Sequence, residues 1–141
     1  MNRDAVATTS IDAPSDRVWR ALTDPDQIAQ YFMGTRVVTD WTVGSSIEWH
    51  GEWDGKQFTD SGKVLAFEPG RRIEVTHWSP VTDAEHTVTH TIETVDGATQ
   101  VTITQGRNTS AAEVTESERT WAMVLGNLKN YVESSASTSS A

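Results

Sequence analysis

The residues best able to do chemistry in this sequence are histidines that alternate with apolar residues in β-prone segments. Successive side chains of a strand point to opposite faces, so His77 shares the face of Ile73 and Val75. The same alternation places His86 and His90 on the apolar face of the next segment. Because an imidazole titrates near neutral pH, an inward histidine can act as an acid or base or can orient a bound molecule.

An amide joins these histidines on the inner face, because Gln105 alternates with Val101 and Ile103 in the last β-prone segment. A buried polar side chain without a partner costs about 1–3 kcal/mol. His77, His90 and Gln105 therefore need partners, and two interpretations are open. They bond one another, a backbone group or trapped water, or they orient the polar end of a ligand.

The chain has six tryptophans, which offer the flat apolar surface that small-molecule sites use. Alternation turns Trp49 and Trp53 inward and His50 toward solvent. Trp78 has the opposite parity to His77, so its orientation stays open. The predicted ligand-binding residues are Trp49, Trp53, Phe58, His77, His90, Gln105 and Trp121.

Other chemistries lack the spacing that they need. There is no cysteine, and His86 and His90 lie about 13 Å apart on a strand that rises roughly 3.3 Å per residue, which argues against zinc. The sequence shows no nucleophile elbow and no phosphate-binding glycine loop. We therefore predict no catalytic triad, no metal and no cofactor. General acid or base work by His77 or His90, with Asp60 nearby, stays an alternative.

The strands that would carry these side chains are separated by short turns. From Thr35 onward the sequence has a period of two and is rich in Thr, Val, Ile and Trp, which favours half-buried strands. Turn signals such as Pro69-Gly70 and Asp96-Gly97 leave no room for crossover helices, so we predict an antiparallel meander. The predicted strands are 5–11, 36–40, 46–53, 56–68, 71–79, 85–95 and 98–106.

Helical patterns flank this run of strands on both sides. The segments SDRVWRAL and DPDQIAQYF have apolar residues at helical spacing and predict two short helices after the first strand. A later stripe predicts a helix of about 22 residues, with Thr109 or Ser110 as its N-cap. Its apolar residues are Val114, Trp121, Leu125, Leu128 and Val132. Residues 134–141 have no apolar anchor and are predicted to be disordered.

Together these elements predict an α+β fold with a single domain at 1–133. A strongly twisted meander must cover one face, and only the last helix has a long apolar stripe, so the sheet should curl around that helix. A curved sheet and a straight helix cannot interdigitate along their full length. We therefore expect a cavity between them.

Charge and composition narrow the choice of partners. The 20 acidic and 11 basic residues give a formal net charge of −9, which repels polyphosphates and anionic lipid surfaces. Nucleic acid is therefore not an expected partner. No signal peptide or apolar run of transmembrane length is recognisable, so we expect a cytoplasmic protein without membrane insertion.

Five segments resemble, in order and spacing, the START-like superfamily, also called SRPBCC. They are IDAPSDRVWRALTDPDQIAQYF, VGSSIEW, GKVLAFEPGRRIEVTHW, DGATQVTIT and RTWAMVLGNLKNYVES, within residues 5–133. The most similar branch is named after the activator of heat-shock-protein ATPase. The resemblance implies the helix-grip fold, with six to seven strands around a C-terminal helix. It also implies that relatives bind lipids, polyketides or hormones and that a few catalyse cyclisation or hydrolysis, without a shared catalytic motif.

Three functions are compatible with these observations, and we rank them. The first is binding of a small hydrophobic molecule, such as a lipid, polyketide or aromatic compound, between the sheet and the last helix. The second is a cyclase, dehydratase or hydrolase that uses a pocket histidine. The third is a chaperone-regulating interaction module, which needs an exposed apolar patch instead of a cavity. The sequence predicts neither the ligand nor whether the chain forms a homodimer.

Overall fold

The computed structural model describes residues 4–32, 34–53, 55–80 and 83–139. Across these residues, seven strands form one antiparallel sheet, and its order is β1-β7-β6-β5-β4-β3-β2. The first strand therefore pairs with the last, and the rest follow as a meander. The elements are β1 Ala5–Ile11, α1 Ser15–Thr23, α2 Pro25–Tyr31, β2 Arg36–Val38, β3 Ser46–Trp53, β4 Lys56–Glu68, β5 Arg72–Ser79, β6 Ala84–Val95, β7 Ala98–Gly106 and α3 Ala111–Ser139.

The predicted fold class is confirmed, and two strands are shorter than predicted, β5 by one residue at its start and β2 by two residues at its end. The strand expected at 36–40 ends at Val38. Beyond it, the side chain of Thr39 accepts a hydrogen bond from the backbone N–H of Trp41 at 3.1 Å, and Asp40 accepts one from Thr42 at 2.9 Å. Such local side-chain bonds to the backbone compete with strand pairing.

The sheet bends where β5 lies against β4. The pairing of these strands shifts register between Val64 and Ala66. Nearby, the backbone N–H of Lys63 donates to the hydroxyl of Thr76 at 2.9 Å. At Gly62 the two backbones approach so closely that a β carbon would overlap the carbonyl oxygen of Thr76. Irregular pairing of this kind increases the twist of a strand and curves the sheet around α3.

The N-terminus of α3 is capped by its own first residues. The hydroxyl of Ser110 accepts a hydrogen bond from the backbone N–H of Glu113 at 3.1 Å, which makes Ser110 the N-cap. In return, the carboxylate of Glu113 accepts one from the backbone N–H of Thr109 at 2.8 Å. This bond and the adjacent His86 hold the pKa of Glu113 below its usual value.

The predicted length of the last helix is too short. The structure gives α3 29 residues, and its backbone continues to Ser139, beyond Val132, the last residue of α3 buried in the core. Adding residues to an existing helix costs little, so no apolar anchor is needed for this extension. Positions 140–141 lie outside the described residues, and disorder of 134–141 in solution stays a prediction.

Candidate functional site

A cavity of about 330 Å³ lies between the concave face of the sheet and the N-terminal half of α3. Every layer of the fold contributes apolar side chains to its wall, among them Leu22 of α1, Ile28 of α2 and Val75 and Val88 of the sheet. The lining also includes Glu116, which is exposed. The cavity therefore opens toward solvent beside the first turns of α3.

The cavity exists because the two halves of α3 differ. In the C-terminal half, Leu125 and Leu128 are each 1% exposed and pack into the core. In the N-terminal half, the residues that face the cavity are Glu116, Ser117, Thr120 and one large side chain, Trp121. Together they do not fill the concave space, so the predicted hollow is present.

Six of the seven predicted ligand-binding residues line this cavity, and each comes from a different element: Trp49, Phe58, His77, His90, Gln105 and Trp121. The ring of Phe58 lies over Gly51, where any larger side chain would collide with it. The side chain of Trp53 lies outside the described part of the structure, although its backbone pairs with Lys56. A direct contact of these residues with a ligand stays a prediction.

His77 and Asp60 form a hydrogen-bonded pair in the cavity wall. A carboxylate can only accept, so His77 Nε2 donates to Asp60 Oδ2, at 2.8 Å. The indole of Trp49 meets the His77 ring edge to face, with 4.8 Å between the ring centroids. The second carboxylate oxygen, Asp60 Oδ1, is buried and has no hydrogen-bond partner among the described residues. A histidine held in this way is oriented for proton transfer or for ligand contact.

His90 is the second polar group in the wall with an unpaired atom. Its Nδ1 atom is buried and has no hydrogen-bond partner among the described residues. The indole of Trp121 stands edge to face with the ring at a centroid distance of 6.2 Å. Burial lowers the pKa of His90 to about 4, because the charged form is disfavoured away from water. At neutral pH the ring is therefore uncharged, with one donor and one acceptor nitrogen.

Gln105 has its polar atoms satisfied by the protein itself. Its amide nitrogen donates to Asn108 Oδ1 and to Ser117 Oγ, both at 2.9 Å. Its carbonyl oxygen accepts a hydrogen bond from Trp121 Nε1 at 2.8 Å. Gln105 thus ties β7 to α3 and fixes the orientation of the indole over the cavity. Among the described residues, no hydrogen bond joins His77, His90 and Gln105 to one another; Gln105 is satisfied within the protein, and trapped water stays a prediction.

Three strand side chains outside the cavity lining also had a predicted or open orientation: His86, Trp78 and His50. His86 faces α3 as its parity predicts, but it does not line the cavity, because its Nε2 lies 3.3 Å from the carboxylate of Glu113. The orientation of Trp78, which the sequence left open, is outward, and its indole N–H donates to Asp83 at 3.0 Å. His50, predicted to face solvent, is 44% exposed at the side chain.

Sequence reasoning missed Trp41 as a lining residue. It lies in the loop between β2 and β3 with a positive φ of 62°, and its indole N–H donates to the carbonyl of Thr23 at 2.9 Å. The indole stacks on the ring of Phe67, with 5.7 Å between the ring centroids, and it lines the cavity. No periodicity covers a loop residue in the left-handed region, and the pattern Asp40-Trp41 carries no signal for it.

Neither a metal-binding cluster nor a membrane-spanning helix is found within the described residues. Residues 4–32, 34–53, 55–80 and 83–139 hold no cluster of three His, Asp or Glu side chains arranged to ligate a metal ion. In the same ranges, no helix combines the length and apolar character needed to cross a bilayer.

The buried imidazole predicts a specific pH dependence of stability. Unfolding returns the pKa of His90 from about 4 to about 6.5, so at intermediate pH the unfolded chain binds a proton that the folded chain does not. The contribution of His90 to the free energy of unfolding should be fully present above pH 6.5. Through this group alone, that free energy should fall by about 2 kcal/mol from pH 7 to pH 5. Urea unfolding of the wild type and of His90→Leu across this range measures the effect. If the free energy of unfolding of His90→Leu falls with decreasing pH as steeply as that of the wild type, His90 is not the source of the pH dependence.

A family model described as Activator of Hsp90 ATPase homolog 1-like protein matches residues 12–133. The chain belongs to this family. The assignment confirms the predicted START-like superfamily and its helix-grip fold, which the seven-stranded sheet and long final helix display. No curated protein matches the chain.

Solved structures share the fold of this family member over nearly its whole length. A Cytophaga hutchinsonii protein is 37% identical, with a TM-score of 0.81 over 95% of this chain and 96% of that one. DynU16, of the dynemicin biosynthetic locus, is 25% identical, with a TM-score of 0.82 over 94% of this chain and 48% of its own. The Aha1 dimer of Colwellia psychrerythraea is 21% identical, with a TM-score of 0.74 and coverages of 92% and 96%. At 21% identity, the likeness to the Colwellia psychrerythraea protein shows the fold alone.

Proposed function

We propose that this protein binds a small, largely apolar organic molecule in the cavity between the sheet and α3. The observation that carries the proposal is an apolar cavity of about 330 Å³ whose wall contains two buried polar atoms, on Asp60 and His90, that have no hydrogen-bond partner in the described part of the chain. Ligand sites in proteins are typically apolar clefts with a few placed polar groups. An unpaired buried polar atom is costly, so a ligand that pairs it gains affinity.

The size of the cavity limits the ligand. An apolar cavity of about 150 Å³ holds one benzene ring, and the volume here is about twice that. A molecule of two rings would fill the enclosed space. Larger compounds, such as sterols or extended polyketides, would protrude through the opening beside Glu116.

The alternative of a protein-interaction module has less support. That hypothesis needs a contiguous exposed apolar patch. The exposed large apolar residues among the described ones are Val6, Val38, Val43, Leu65, Val95 and Met123, and singly exposed apolar residues are ordinary on a protein surface. A homodimer and a chaperone partner therefore remain outside the proposal.

A cavity-filling substitution tests the proposed site. Val88 is 4% exposed and lines the cavity, so the ring of Val88→Phe would occupy the ligand's place. Naphthol at 100 times its dissociation constant should stabilise the wild type by about 2.7 kcal/mol. We expect this stabilisation to disappear in Val88→Phe, as measured by thermal unfolding with and without the compound.

The neighbouring position supplies the matched control. Thr89 points to the opposite face of β6, so Thr89→Phe adds the same ring outside the cavity and should retain the stabilisation. If neither naphthol nor naphthalene shifts the wild type, or if Val88→Phe responds like Thr89→Phe, the proposed site is wrong.

A further inference from the structure

Apart from its two histidines, the cavity wall has charged groups of one sign only among the described residues. The lining contains the acidic residues Asp60 and Glu116, and neither lysine nor arginine is among the described lining residues. The uncharged His90 does not offset them. The whole chain also carries a formal net charge of −9. An anionic ligand would find no lysine or arginine to pair with among the described residues of this cavity, and the Nε2–H of His77 is already donated to Asp60.

The geometry at Asp60 defines what the ligand must offer. One carboxylate oxygen accepts a hydrogen bond from His77 at 2.8 Å, and the other is buried and has no partner within residues 4–32, 34–53, 55–80 and 83–139. A carboxylate oxygen accepts hydrogen bonds and donates none. Only an O–H or N–H group of the ligand can therefore satisfy Asp60 Oδ1. A ligand carboxylate would instead bring a second negative charge into a poorly solvated space, which is strongly unfavourable.

We propose that the ligand is a neutral or cationic two-ring molecule with a hydroxyl or amine that donates to Asp60, and that carboxylic acids are rejected. This inference rests on the proposed binding function and adds a chemical class to it. His90 Nδ1 offers a second polar contact, and a neutral imidazole nitrogen can serve as donor or acceptor there. The ligand therefore has its donor at one end, beside His77, and apolar surface elsewhere.

Four compounds with the same naphthalene body test the donor requirement. Naphthol and naphthylmethylamine carry a donor, methoxynaphthalene carries an acceptor without a donor, and naphthoic acid carries a negative charge at neutral pH. Isothermal titration with the wild type should give at least about tenfold tighter binding of the two donors than of methoxynaphthalene, because a hydrogen bond to a charged group is among the stronger ones. Naphthoic acid should bind most weakly of the four.

The substitution Asp60→Asn tests whether this carboxylate sets the preference. The amide can still accept the hydrogen bond from His77, but it removes the charge and presents a donor to the ligand. The ratio of naphthol to naphthoic acid affinity should fall at least about tenfold in Asp60→Asn. The control is Asp96→Asn, which removes the same charge from the exposed turn between β6 and β7, where asparagine tolerates the positive φ of 52°. It should keep the wild-type ratio.

The outcomes separate this inference from the proposed function. If all four compounds bind equally, or if naphthoic acid binds most tightly, the donor requirement is wrong while the cavity remains a binding site. If Asp60→Asn keeps the wild-type ratio, another group sets the preference and the inference fails. If no compound binds, both proposals fail. Should Asp60→Asn not fold, the four compounds on the wild type still decide the matter.

Discussion

Replacing Gly62 by alanine is expected to destabilise the protein by about 3 kcal/mol, at the upper end of what added atoms cost in a packed interior. The new β carbon would overlap the backbone carbonyl oxygen of Thr76 on the neighbouring strand. A flexible side chain could move aside, but a strand backbone cannot shift alone. Relief of the clash requires β5 to separate from β4, and it would disturb the wall that carries His77 and Asp60.

Urea unfolding monitored by tryptophan fluorescence measures the loss. Gly126→Ala is the matched control, because it adds the same methyl group within α3, where a β carbon would meet nothing within 4 Å. Alanine is the better helix former, so this variant should gain about 0.5–1 kcal/mol. Equal stability of Gly62→Ala and the wild type would show that the two strands do not approach as closely as described.

Trp121→Ala is the second substitution with a large expected effect. Truncation of a packed tryptophan typically costs about 3–5 kcal/mol, and we expect about 3 kcal/mol because this residue is only partly buried. The indole packs edge to face against the rings of Phe32 and His90, with centroid distances of 5.9 Å and 6.2 Å. Its loss would also leave the side-chain oxygen of Gln105 without its donor.

Trp121→Phe separates packing from hydrogen bonding. It keeps an aromatic ring in the cavity wall and removes only the N–H that Gln105 accepts, so the expected cost is about 1–2 kcal/mol. Denaturant unfolding of both variants measures the two contributions. If alanine costs no more than phenylalanine, the ring does not pack as the structure indicates.

The sheet and its inner face were predictable because strand alternation has a fixed period. His77 and His90 fall on the apolar parity of their strands, and the structure places both in the cavity wall. The antiparallel order followed from connectors too short for helices. The hollow itself was predictable from the mismatch between a curved sheet and a straight helix.

The partners of the polar groups were not predictable, since they depend on contacts between elements. Asp60 and His77 are 17 residues apart along the chain, and they meet only because β4 and β5 pair in one register. Trp41 enters the wall from a loop whose backbone no pattern describes. Gln105 lies on the inner face of its strand as predicted, but its amide is hydrogen-bonded to Ser117 and Trp121 of α3.

The unequal halves of α3 separate the requirements of folding from those of recognition. Leu125, Leu128 and Val132 secure the helix to the core, whereas Glu116 and Thr120 are exposed and border the open space. Substitutions at the latter positions can alter the shape and polarity of the entrance without loosening the anchor. Under the proposed binding function, one helix therefore carries the anchor of the scaffold and the border of the site in separate segments.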